Sequence, residues 1–164
     1  MMRPADIDVV LPSNALERDA MESVVDRLTA LFEGATGVRG GLYLASTDAG
    51  NATTQRFWHD AMAAGVALAN PELFPWCLAN APCAALARRF GIAGPNFTWL
   101  GGEDALQAAW HAAESALARN RVDNAFVVFV EFGKLDLPGR FQSWRLQKQE
   151  IRRGEERSAA ALLS

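Results

Sequence analysis

Residues 125–132, AFVVFVEF, constrain the fold more than any other stretch of this chain. The run is continuously apolar where a half-solvated strand would alternate. It therefore predicts a strand covered on both faces, which requires helices above and below a sheet. The rest of the sequence can supply those layers. GGLYLAS (40–46) reads as a short strand between glycines and turn residues. Before it, residues 15–34 place apolar side chains at 16, 20, 21, 24, 25, 28, 31 and 32, a one-faced helix. Ser13 or Asn14 is its candidate cap and Gly34 its stop.

NATTQRFWHDAM (51–62) reads as a helix that offers Phe57, Trp58 and Met62 to a core. After the breaker ANPELFP comes WCLANAPCAALARRFG (76–91), a helix that Pro82 either starts or kinks. Arg88, Arg89 and then Gly91 fit its C-terminal end. From Asp104 to Arg119, apolar residues at 106, 109, 110, 113 and 117 form another single stripe. Residues 133–158 hold no sustained period and are expected to be irregular, loop with a helical piece. SAAALLS (158–164) is a candidate closing strand. Strands alternating with helices make an α/β domain, with helices on both faces of a mixed sheet. No repeat, low-complexity tract or linker divides residues 1–164, so one domain is expected.

Composition excludes several classes of function. A formal charge of −3 and a pI near 5.4 leave no electrostatic footprint for nucleic acid. The one basic cluster, KQEIRRGEER, is interleaved with glutamates. The opening MMRPADIDVVLP lacks the basic-then-apolar order of a signal peptide, and no apolar run approaches the ~20 residues that span a bilayer. Cys77 and Cys83 lack metal-site spacing, so no metal site is expected. They read as small buried hydrophobes of a reduced, cytoplasmic protein. The glycines of GGLYLASTDAG come without the spacing and lysine of a phosphate loop, and no cofactor is expected.

GPNFTWLGGEDALQAA (94–109) raises the question of chemistry. A strand-like run, Asn96 to Leu100, meets two glycines and then a helical segment, the arrangement that lifts one side chain onto a sharp turn. The residue lifted is Glu103.

Ordered motifs surround this turn. The chain carries Asn70, Pro71, Phe74 and Pro75, then Asn80, Ala81 and Pro82. Phe90, Gly91, Gly94, Pro95, Asn96 and Thr98 follow, and Arg121, Asp123 and Ala125 come after the helix. In that order and spacing they resemble the N-terminal half of β-ketoacyl synthases, enzymes of the thiolase fold that condense acyl chains on acyl carrier protein. GLYLASTDAGNATTQRFW is similar to the family's strand and glycine-rich turn, and GEERSAAALLS looks like a worn form of its G-E-G-A-A-A-L-x-L. The resemblance covers residues 39–132 well and the remainder loosely. It implies half of a thiolase-like fold.

Two departures bear on function. Nine residues beyond Gly94 the family places its cysteine nucleophile, and here the residue is Glu103. The family also continues into a second half with two catalytic histidines and part of the oxyanion hole. The sequence as read ends at Ser164, and His59 and His111 lie on expected helices outside the family's motifs.

A thiolate suits the start of a helix because the terminus stabilises its charge while sulfur stays nucleophilic. A carboxylate gains the same stabilisation and becomes a weaker base for it. Its attack on a thioester would give a mixed anhydride, which is uphill. Glu103 and Asp104 are, by contrast, favourable first-turn residues. No catalytic residue is therefore expected. Relatives with glutamine at this position serve as chain-length partners or decarboxylate malonyl groups.

The resemblance then implies a non-catalytic partner or scaffold in acyl-carrier-dependent fatty-acid or polyketide synthesis, with aryl polyene pigment clusters among its plausible homes. The alternatives are a small acyltransferase or hydrolase with Glu103 as base, and a free-standing acyl or acyl-carrier binding module. Phe97 and Trp99 are the interface candidates, because in the family their segment runs at the subunit contact. The other tryptophans read as core fillers. The expected partner is a second copy or an active ketosynthase, with acyl carrier protein as a further candidate.

Overall fold

The computed structural model describes residues 7–34, 36–37, 39–134 and 136–148. Among these residues five strands are formed: β1 (Ile7–Leu11), β2 (Gly40–Ser46), β3 (Asn96–Leu100), β4 (Asn124–Glu131) and β5 (Gly139–Gln147). Four α-helices accompany them: α1 (Glu17–Phe32), α2 (Asn51–Ala64), α3 (Ala81–Arg89) and α4 (Glu103–Ala118). Two short 3-10 turns, Val66–Leu68 and Phe74–Cys77, link α2 to α3. The strands form one mixed sheet in the order β1-β5-β4-β2-β3. β2 runs parallel to both β3 and β4, and β5 runs antiparallel to both β4 and β1.

The run AFVVFV is continuous because both faces of β4 are covered. Phe126, Val128 and Val130 face α1 and α3 together with Leu42 and Leu44 of β2. Ala125 and Val127 face α4 together with Tyr43 and Ala45. α1 contributes Ala20, Met21, Val24, Leu28 and Phe32, and the Phe32 ring stacks on Phe126 at 4.2 Å and on Phe90 at 4.5 Å. Burying one such side chain contributes about 2–3 kcal/mol. α4 turns Ala105, Ala109, Ala113 and Ala116 to the sheet, and these small residues let the helix backbone lie close to β2 and β4. β4 is the central strand, as its sequence predicts.

Several expectations need correction. Within residues 133–158, expected to be irregular, the chain forms the nine-residue strand β5. Its buried faces mix polar Gln142 and Ser143 with Phe141, Trp144 and Leu146, which hides the period-2 signal. β1 was not expected either; Val9 and Leu11 on one side of it are buried in the core, and Ile7 packs against it half-buried. α1 starts at Glu17 after Leu16 and receives no side-chain cap, so neither Ser13 nor Asn14 caps it; Asn14 instead takes a left-handed turn conformation (φ 58°). Trp58 and Met62 are exposed, because α2 packs mainly against the 3-10 turns that follow it. Of the tryptophans only Trp144 is fully buried. Pro82 lies in the first turn of α3 and starts that helix without kinking it. The closing strand at 158–164 and the GEERSAAALLS match lie outside the described residues.

Candidate functional site

The turn that carries Glu103 is built by two glycines at the end of β3. Gly101 donates its N–H to the Ser46 carbonyl at 2.9 Å and so extends the parallel pairing of β2 and β3 by one residue. Its φ of 144° favours glycine, and a Cβ there would meet the Ala105 methyl at 3.2 Å. Gly102 ends the turn, and α4 begins at Glu103. The chain makes this sharp strand-to-helix corner as its sequence predicts.

Glu103 and Asp104 stand exposed in the first turn of α4. Among the described residues Glu103 has no hydrogen-bond or ion-pair partner. His111 lies two turns further along the same helix, about 12 Å away along its axis. His111 is exposed, with Nδ1 3.8 Å from a Glu114 carboxylate oxygen. His59 is on α2, also exposed, 3.4 Å from Asp60. Neither histidine reaches Glu103 as a base or orienting group. The outward ridge of α4 continues with Gln107, His111 and Glu114, all polar. Among the described residues no group of three or more His, Cys, Asp or Glu is arranged to hold a metal ion, and no helix is long and apolar enough to cross a membrane.

Phe97 and Trp99 lie on the α4 side of edge strand β3, opposite Tyr43 and Ala45 of β2. Phe97 is 53% exposed and Trp99 is half-buried. Their rings sit 5.8 Å apart, each about 6.4 Å or less from the Tyr43 ring. Pro95 and Gly101 turn their backbone groups to β2. By the strand's alternation, Asn96, Thr98 and Leu100 turn theirs outward, along an edge that nothing in this chain pairs among the described residues. On the other face of β3 the Cys83 thiol donates to the Phe97 carbonyl at 3.4 Å, and burial pushes that thiol up to about 12. The family-like Asp123 has a structural partner: Arg39 grips it with two nitrogens and reaches the Asn120 carbonyl.

A second place was not read from the sequence. A cleft of about 520 Å³ opens at the C-terminal ends of β2 and β4, lined by Glu17, Asp48, Asn51, Phe132 and Lys134 among others. The chain leaves β2 toward β3 and β4 toward β5, so this is the point where strand order reverses, a preferred ligand crevice in open α/β sheets. Its charged groups are already used. Asp48 accepts the Phe132 N–H at 3.1 Å and pairs with Lys134 at 3.0 Å, and the Glu17 carboxylate is turned onto the start of α2. No spacing signal could have found these residues, which come from the starts of α1 and α2 and from the segments that follow β2 and β4.

No protein-family model matches the sequence, and no curated protein is significantly similar to it. Solved structures do match. The chain is similar to the ishigamide ketosynthase/chain length factor, at 20% identity and a TM-score of 0.56 over 68% of this chain and 37% of that one. It is similar to AntDE:AntF, a type II PKS acyl-carrier protein in complex with its ketosynthase, at 12% identity and a TM-score of 0.60 over 88% and 47%. The fold is half of a thiolase-like ketosynthase fold. The oxazolomycin ketosynthase domain OzmH KS8 of Streptomyces albus JA3453 is a further match, at 16% identity and a TM-score of 0.52 over 85% and 35%. The chain thus spans between a third and a half of the length of these ketosynthases, and at these identities the similarity is one of fold.

Proposed function

We propose that this chain is a non-catalytic ketosynthase-like protein that acts as a partner or scaffold in acyl-carrier-dependent polyketide or fatty-acid synthesis, aryl polyene pigment synthesis included. The observation that carries the reading is Glu103. It occupies the strand-to-helix corner of a ketosynthase-like half-fold, where the resemblance puts a cysteine, and it stands in solvent without a base. A carboxylate there stabilises the helix start and is a poor acyl acceptor.

The same geometry weighs against an acyltransferase or hydrolase with Glu103 as base. A useful base is held within hydrogen-bond reach of the proton it takes and is oriented by a partner, and this carboxylate is exposed at the start of a helix with no such partner among the described residues. In this reading the partner lies along the free edge of β3, with Phe97 and Trp99 at the contact. A strand added there would satisfy the outward N–H and C=O groups and cover exposed aromatic surface. The partner is a second copy or an active ketosynthase, and a carrier protein is the substrate-bearing member of such an assembly.

The test is enzymatic and physical together. Purified protein is expected to show neither condensation nor malonyl decarboxylation with acyl-carrier substrates, and to capture a co-encoded ketosynthase through β3. Turnover clearly above a heat-treated control overturns the reading.

A further inference from the structure

α1 and α3 pack against each other, and a groove runs along their seam. Two adjoining cavities of about 390 and 780 Å³ make it up, and Arg88 and Arg89 line both. The larger lies at the C-terminal ends of the helices, where Asp26 of α1 and Glu33, its C-cap, share the lining with those arginines. The smaller is lined by Val25, Trp76 and Leu86, with Glu22 as its one acid. From the Glu33 end the groove thus presents acids, then the two arginines, then a mainly apolar stretch, over about 12 Å of α1. Among the described residues the side chains of Asp26, Glu33, Arg88 and Arg89 make no hydrogen bond or ion pair. Four charges beside an apolar floor are left without a partner of opposite sign.

We infer that the groove is the seat of residues 149–164 of this same chain, which lie outside the described residues. The point of departure selects them. Near the end of β5, Arg145 donates to the carbonyls of Leu31 and Glu33 at 3.2 and 3.1 Å, so the chain leaves the sheet beside the acidic mouth of the groove. The sequence matches in order. QEIRRGEERSAAALLS carries Arg152 and Arg153 first, then Glu155 and Glu156, then the apolar run 159–163. Base meets acid, acid meets base, and apolar residues meet Val25, Trp76 and Leu86. Reach is ample, since an extended chain covers ~3.3 Å per residue. Affinity need only be modest, because a short tether supplies an effective concentration of about 1 mM. The inference stands apart from the partner reading, as none of its observations involves Glu103 or β3.

Solution NMR of the full chain with labelled leucine and valine methyls tests it. The Leu162 and Leu163 methyls should give nuclear Overhauser contacts to the Val25 methyls and the Trp76 ring. Amides of residues 155–163 should exchange at least ~10-fold more slowly than in the free peptide 149–164. Arg88→Glu with Arg89→Glu should cut that protection by about 5-fold, and adding Glu155→Arg with Glu156→Arg should restore it. Both arginines are exposed, so circular dichroism is expected to stay near wild type. Absence of contacts between 162–163 and the groove overturns the inference, as does protection that the charge exchange fails to restore. Contacts placing 158–164 along an edge of the sheet overturn it in favour of a closing strand. Contacts or protection that vanish on dilution overturn it, because the segment in the groove then comes from another molecule.

Discussion

Glu17 and Thr53 join α1 to α2. The Glu17 carboxylate, fully buried, accepts the backbone N–H of Ala52 and that of Thr53, each at 3.0 Å, and the Thr53 hydroxyl as well. These are the orphan donors of the first turn of α2, whose own N-cap is a glycine without a side chain. Gly50 holds that place because its φ is 82° and a Cβ would lie 2.7 Å from the Cys77 carbonyl oxygen. A residue 36 positions upstream thus supplies the cap that local sequence cannot.

Removing that cap should be costly. Glu17→Ala strands a buried N–H, a half-buried N–H and a buried hydroxyl, and is expected to lower stability by about 2–4 kcal/mol in urea unfolding. Glu17→Gln keeps one acceptor oxygen and should lose less. A loss below about 0.5 kcal/mol for the alanine variant would show that the cap is not worth what its geometry implies.

Cysteine reactivity should separate the two thiols. Cys83 is buried against Phe97 and Leu42 and its pKa is pushed up to about 12, whereas Cys77 is half-buried. Alkylation at pH 8 is expected to modify one cysteine in the folded protein and two in urea. The unfolded thiol ionises near its ordinary pKa and the folded one does not, so the unfolded state loses its proton first. Cys83 thus favours the fold below about pH 8.5, and stability falls as pH rises from there toward 12. Cys83→Ala should flatten that alkaline slope; an unchanged slope would refute the assignment.

How much of this was legible depends on where each signal lies. β2, β4 and α4 are written in contiguous residues, because a strand between two helix layers must be apolar throughout and a helix on a sheet must carry one stripe. The corner at Gly101 and Gly102 was legible for the same local reason. β5 was not, because its inward residues include Gln142, Ser143 and Arg145, satisfied or packed only once the sheet exists. Arg145 reaches the carbonyls of Leu31 and Glu33 and the side chain of Asn124 across the fold. The exposure of Trp58 and Met62 was equally hidden, since an apolar helical stripe reads the same whether it faces a core or a partner.

Trp144 shows what the missed strand carries. It is buried beneath α4 and meets Trp110 edge to face, with ring centroids 5.7 Å apart, while the Trp110 indole N–H donates to Glu114 at 2.9 Å. Trp144→Ala should cost about 3–5 kcal/mol, by lost burial and the cavity left behind. Trp58→Ala, at an exposed position, should change the monomer's stability by less than about 1 kcal/mol. Equal losses for the two in chemical unfolding would contradict this assignment of core and surface.

The corner itself can be probed by putting back the residue type it lacks. Glu103→Cys places a thiol in the first turn of α4, where Gly102 offers no side-chain cap and the helix terminus favours negative charge. Its pKa should fall below the ordinary thiol value of about 8.5, and it should react with iodoacetamide at neutral pH faster than Cys77 or Cys83. The same field acts on the native carboxylate. Glu103→Gln is therefore expected to lower stability by a few tenths to about 1 kcal/mol, an effect that high salt reduces. The two results together would mean that the corner still stabilises an anion and that Glu103 serves the helix. An introduced thiol no more reactive than Cys77, with full stability for Glu103→Gln, would mean that the corner is electrostatically inert and remove the physical basis for reading it as a vacated nucleophile position.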